Sequence, residues 1–241
     1  MPLIAVNDIE LYYESHGSGA PLVMLGGLGL DVSEMGGLTG LLATRFRVIA
    51  VDNRGTGRSA KPAGPYSIEQ MATDTSALMD RLQLGRAHLL GISMGGRIAL
   101  ALALAQPERV DRLVLVATGP RAAGARWLIR AWMPLADLPV LRGRQRQPRY
   151  AMQAQFDATT RFDCTGRLGQ IRAPTLIVHG RSDHLAPVAL AEQMHALIPG
   201  SRLVLIRGGH LAPLVTQRQQ VVSEVSAFLA AGGQHPVTHD G

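Results

Sequence analysis

The chain has 241 residues, 46% of them hydrophobic and 17% charged, with a formal net charge of +6. That size and balance predict a single domain, residues 1–241, with a sizeable core. No apolar run reaches the roughly 20 residues that cross a bilayer, and Cys164, the only cysteine, allows no internal disulfide.

The N-terminus, MPLIAVNDIE, lacks a basic segment followed by an apolar one, so a cytoplasmic location is expected. Leu3 to Val6 and Glu10 to Glu14 flank Asn7-Asp8 and read as a hairpin. Pro21 to Leu25 and Arg45 to Val51 read as strands, the first running into Gly26-Gly27-Leu28-Gly29. Ile68 to Leu82 repeats apolar residues with a helical period, and Ser67 stands at its start as N-cap. Arg86 to Leu90 is a short apolar run, and Arg97 to Ala105 is an Ala- and Leu-rich helix. Strands follow at Arg112 to Ala117, Pro174 to Val178 and Arg202 to Ile206. A helix is expected from about Ala186 to Ile198 and another from Val215 to Ala230; residues 232–241 read as a frayed tail.

This alternation predicts an α/β fold, a mostly parallel sheet with helices on both faces. Residues 119–170 break the rhythm with no strand, two tryptophans (Trp127, Trp132) and several prolines, and they read as a short helical lid inserted after the sixth core strand. Seven arginines, at 121, 126, 130, 142, 144, 146 and 149, stand there against one acid, Asp137. They suit a solvated surface, or a basic rim that draws in anionic substrates. Nucleic acid is not expected as a partner, since few aromatics interleave with these charges.

Between the apolar run and the Ala-rich helix lies Gly91-Ile92-Ser93-Met94-Gly95-Gly96. A strand, a serine flanked by glycines and a helix make a nucleophile elbow, a turn so tight that side chains at Gly91 and Gly95 would collide with backbone. A serine hydroxyl needs a base, and the base an acid that fixes its tautomer. Asp183, in HGRSDHLAP, and His210, in RGGHLAP, supply both in the order Ser, Asp, His, each soon after a predicted strand. One sheet edge should therefore carry all three catalytic residues. Of the other histidines, His16, His88 and His179 fall in or beside strands, and His184 is the rival base. The oxyanion donors are expected to be the backbone N–H groups of Met94 and Leu28, each worth about 3 kcal/mol of barrier. No metal and no cofactor is called for.

These motifs resemble the α/β-hydrolase fold family over nearly the whole chain. GISMGG is similar to its elbow, DNRGTGRS (Asp52 to Ser59) to its Asp-x-Arg-Gly-x-Gly-x-Ser turn, PTLIVHGRSD to its acid strand and GGH to its histidine loop. Gly26-Gly27 departs from the His-Gly with which many members open the oxyanion loop. GGLGLD and GPYSIEQMATD look most like 3-oxoadipate enol-lactonases and related small esterases. The resemblance implies a serine esterase or lactonase acting on a small-molecule ester or lactone through an acyl-enzyme. An acyltransferase or perhydrolase on the same triad, and a ligand receptor with slow turnover, are the alternatives.

Overall fold

A computed structural model of the chain describes residues 3–123 and 147–231. Its strands are β1 (Leu3–Val6), β2 (Ile9–His16), β3 (Pro21–Leu25), β4 (Arg47–Val51), β5 (Ala87–Ile92), β6 (Val110–Val116), β7 (Thr175–Gly180) and β8 (Arg202–Ile206). They form one sheet in the order β1-β2-β4-β3-β5-β6-β7-β8. β2 is antiparallel to β1 and to β4; from β4 through β8 every neighbour is parallel.

Successive side chains of a strand point to opposite faces, and here they feed two separate cores. Val23 and Leu25 of β3, with Leu113 and Leu115 of β6, face α2 (Ile68–Arg81), α3 (Met94–Ala105), α4 (Arg149–Arg161) and α5 (Val188–Leu197). Leu22 and Met24, with Val114 and Val116, face α1 (Val32–Leu42) and α6 (Arg218–Ala230). Each fully buried Leu, Ile or Val contributes about 1.5–3 kcal/mol. The central strand β5 is buried along its whole length, including His88, the one polar side chain in an otherwise apolar segment.

Most elements fall where the periodicity places them. Ser67 caps α2, its Oγ accepting from Gln70 N–H at 3.0 Å. Helix α1 is the element that the sequence pattern hides. Gly36, Gly37 and Gly40 lie inside it, each about 1 kcal/mol poorer in a helix than alanine. A capping box starts it nonetheless: Asp31 accepts from Ser33 and Glu34 N–H, while Glu34 accepts from Asp31 N–H at 3.0 Å. The cap also ends the loop that leaves β3, so this helix anchors that loop.

In the span 119–170 the described residues hold an isolated bridge between Arg121 and Asp163, helix α4 and a 3-10 turn at Thr165–Gln170. Arg126, Arg130, Arg142, Arg144, Arg146, Trp127, Trp132 and the tail 232–241 lie outside the described residues. Among the described residues no helix is long and apolar enough to cross a membrane.

Candidate active site

Strand β5 ends at Ile92 and α3 begins at Met94, leaving Ser93 alone to turn the chain, at φ 54° and ψ −113°. A non-glycine residue in that region costs about 1–2 kcal/mol, and the surroundings enforce it. Ser93 N–H donates to Val116 O at 2.9 Å, and Thr118 Oγ1 and Gly96 N–H both donate to Ser93 O. The flanking glycines are needed for space. A Cβ on Gly91 would lie 2.3 Å from Gly95 O, and one on Gly95 would lie 2.1 Å from Leu25 O.

The loops after β7 and β8 bring the other two residues to this serine. His210 Nε2 lies 3.0 Å from Ser93 Oγ, and His210 Nδ1 lies 2.7 Å from Asp183 Oδ2. Asp183 is buried and its other oxygen accepts from Leu185 and Ala186 N–H at 2.9 and 2.8 Å. Burial pushes this carboxyl's pKa up. The hydrogen bond and charge of His210, with the Ala186 N–H, outweigh that and hold it below the ordinary carboxylate value. An ionised Asp183 accepts the Nδ1 proton of His210, which leaves Nε2 as the acceptor facing the serine hydroxyl.

Among the described residues, no other histidine is bonded to Ser93. His184, the rival, is exposed. His179 is fully buried beside Asp183; its Nε2 donates to Ala186 O at 2.7 Å and burial lowers its pKa. His88 sits in β5 edge-on to Phe46, and His16 pairs with Glu14. Cys164 is buried under Pro120, its thiol pushed up to about 12 by burial, which makes it a poor nucleophile.

The loop after β3 closes over the serine. Leu30 N–H donates to Gly27 O at 3.1 Å, and Gly29 has φ 70°, so residues 27–30 form a type II turn with glycine at its third position. A Cβ on Gly27 would lie 3.3 Å from Ser93 Cβ, so the glycine lets the loop backbone approach. Where relatives of this pattern would open with His-Gly, Asn53 Nδ2 here donates to Gly26 O at 2.9 Å and ties the loop to the end of β4. Among the described residues, neither Leu28 nor Met94 N–H donates to a protein acceptor.

DNRGTGRS packs beneath this loop. Asp52 accepts from Val32 N–H at 2.7 Å and Arg58 N–H at 2.8 Å, and burial raises its pKa to about 6. Arg54 is buried between Asp74 and Asp8, bonded to both. Burial would lower its pKa; the two carboxylates more than reverse that.

Two residues of the site's surroundings have no signal in the sequence. Gln155 of α4, 0% exposed, accepts from Gly29 N–H at 3.1 Å and donates to Arg54 O and Thr56 Oγ1 at 2.7 and 2.6 Å. Gln147 Nε2 donates to Gly29 O at 2.7 Å. A buried amide on the apolar face of α4 is visible only once the helix is in place. Among the described residues no group of three or more His, Cys, Asp or Glu side chains is arranged to hold a metal.

The model of the alpha/beta hydrolase fold family matches residues 20–150 and 143–216. The chain belongs to that family. It is 33% identical to a candidate carbamate hydrolase, RutD, of Azorhizobium caulinodans over 252 aligned residues, covering 90% of this chain and 94% of that one. It is 31% identical to a pimeloyl-[acyl-carrier protein] methyl ester esterase of Nitrosomonas europaea, covering 89% and 97%. Among solved structures, the enol-lactonase of Burkholderia xenovorans LB400 superposes with a TM-score of 0.83 at 27% identity, covering 95% of this chain and all of that one.

Proposed function

We propose that this protein is a serine hydrolase of small to medium carboxylic esters or lactones, with Ser93, His210 and Asp183 as its triad. The observation that carries the reading is the unbroken relay from Ser93 Oγ to His210 Nε2, 3.0 Å, and from His210 Nδ1 to Asp183 Oδ2, 2.7 Å. Ser93 Oγ attacks the carbonyl carbon while its proton passes to His210 Nε2. The carbonyl oxygen, now an oxyanion, is held by the Leu28 and Met94 N–H groups. The tetrahedral species collapses, and the departing alkoxide takes the proton from His210, leaving an acyl-Ser93. Water then adds with His210 as base, and breakdown releases the acid and returns the proton to Ser93 Oγ. The scheme uses no metal or cofactor. In this reading the chain is a single domain, and of the lid expected over 119–170 the described residues hold helix α4 and the turns beside it.

Hydrolysis of a p-nitrophenyl ester series from acetate to dodecanoate, with Ser93→Ala alongside, tests the reading. We expect turnover at a definite chain-length optimum and a loss of about 10⁴-fold or more in kcat in the mutant. Turnover that survives in a clean Ser93→Ala preparation overturns it.

A second reading rests on the 33% identity to a candidate carbamate hydrolase. The same serine would attack a carbamate carbonyl. Sustained turnover of a p-nitrophenyl carbamate at the ester rate supports this reading. A burst followed by stalling, the sign of a trapped carbamoyl-serine, supports the ester or lactone reading.

A further inference from the structure

We propose that Gln155 and Gln147 are positioning residues that keep the Leu28 amide aimed at the oxyanion; the proposal rests on the hydrolase reading above. The Leu28 N–H shares its peptide plane with Gly27 O. That oxygen is held by Leu30 N–H at 3.1 Å, a bond that closes the 27–30 turn. The turn is type II because Gly29 sits at φ 70°. A type I turn would rotate the central Leu28–Gly29 peptide and swing the Gly29 N–H away. Gln155 Oε1 accepts from that N–H at 3.1 Å, so it holds the peptide on which the turn type depends. The next peptide is held as well, by the 2.7 Å bond from Gln147 Nε2 to Gly29 O.

Gln155 is a rigid post. Its Nε2 donates to Arg54 O at 2.7 Å and Thr56 Oγ1 at 2.6 Å, and Arg54 is itself fixed between Asp74 and Asp8. The amide can face only one way, since a flip would set NH₂ against the Gly29 N–H and oxygen against the Arg54 carbonyl. Two glycines leave room for α4 here: a Cβ on Gly55 would meet Tyr66 Cε2 at 2.7 Å and Gln155 Nε2 at 3.2 Å, and one on Gly29 would lie 2.9 Å from Met152 Sδ on the same helix. An apolar residue would satisfy the α4 face with no desolvation cost. A fully bonded amide there instead couples α4 to the oxyanion loop.

The test compares Gln155→Met and Gln147→Ala with the wild type by kcat, KM, melting temperature and inhibition by a trifluoromethyl ketone. Ser93 Oγ adds to that ketone's carbonyl carbon and its oxygen becomes the oxyanion. We expect kcat to fall about 10–100-fold in Gln155→Met and about 3–10-fold in Gln147→Ala, with KM within about twofold. The ketone's inhibition constant should rise by the same factor as kcat falls, while that of the product carboxylate stays put. A role in folding alone would lower the melting temperature and leave kcat within twofold when assayed well below it; that result overturns the proposal. Should Gln155→Met fail to fold, the half-buried Gln147→Ala decides by the same readings. An activity lost in Ser93→Ala but indifferent to both glutamines sinks this proposal and leaves the hydrolase reading standing. An activity indifferent to Ser93→Ala sinks the reading beneath it.

Discussion

Two aspartates stand buried at the carboxyl edge of the sheet, Asp52 after β4 and Asp183 after β7, and their proton affinities are shifted in opposite directions. They are 1% and 4% exposed, and each accepts two backbone N–H bonds at 2.7–2.9 Å. Burial lifts Asp52 to about 6, whereas Asp183, facing His210, is held below its ordinary value. Position and burial are shared; the partner is not. A histidine against the second oxygen turns a structural carboxyl into one that can stabilise an imidazolium.

The largest effect that separates the two sites is on turnover. Asp183→Asn should lower kcat for esters by about 10³–10⁴-fold while circular dichroism shows an intact fold, because the amide leaves His210 in the wrong tautomer. Asp52→Asn, once folded, should turn over close to wild type. Equal losses in the two variants would erase the distinction.

Next in size is the ion network that stiffens the Asp52 side. Asp74→Ala should cost about 3–5 kcal/mol in urea denaturation, since it strips the inward partner from a guanidinium whose side chain is only 2% exposed. A cost no larger than that of a surface pair would mean that Asp8 alone holds Arg54.

The two carboxyls should also tilt stability in opposite directions with pH. Folding raises the proton affinity of Asp52, so the folded protein binds more protons than the unfolded one between about pH 4 and 6. Its contribution to stability therefore falls by about 2–3 kcal/mol as pH rises through that window. Folding lowers the proton affinity of Asp183, whose contribution is present above about pH 4 and is lost as pH falls below it. Unfolding free energies of wild type against Asp52→Asn at pH 4–7, and against Asp183→Asn at pH 2.5–5, should give gaps that shrink and widen respectively with rising pH. Slopes of one sign would break the comparison.

The smallest expected effect is at Asp8, which pairs with Arg54 from a side chain 63% exposed. Asp8→Ala should cost no more than about 1 kcal/mol, and less in high salt. A loss as large as that of Asp74→Ala would make the outer carboxylate the structural partner.

Much of this molecule is written locally. Short, mostly apolar runs mark β3, β5 and β7, and the Ser, Asp and His each follow a strand, so a parallel sheet has to deliver them to one edge. Gly91 is legible because the tight turn itself leaves no room for a Cβ, which would strike Gly95 four residues on; Gly95 is legible from the same motif, although the backbone that excludes its Cβ belongs to the distant Leu25. Helix α1 is half legible: its capping box can be read at Asp31 and Glu34, but its three glycines mask the period. What local pattern cannot carry is which distant groups meet. Gln155 lies 126 positions from Gly29 and 101 from Arg54, and nothing in its own segment marks it. The opposite pKa shifts of Asp52 and Asp183 are likewise invisible in sequence, because both read as acids in loops. The chain's periodicity determined the mostly parallel sheet and the edge that gathers Ser93, Asp183 and His210; the strand order came with the tertiary structure. Only the tertiary structure decided which carboxyl faces a histidine and which amide braces the loop, because burial and partner are properties of contacts between residues far apart in the chain.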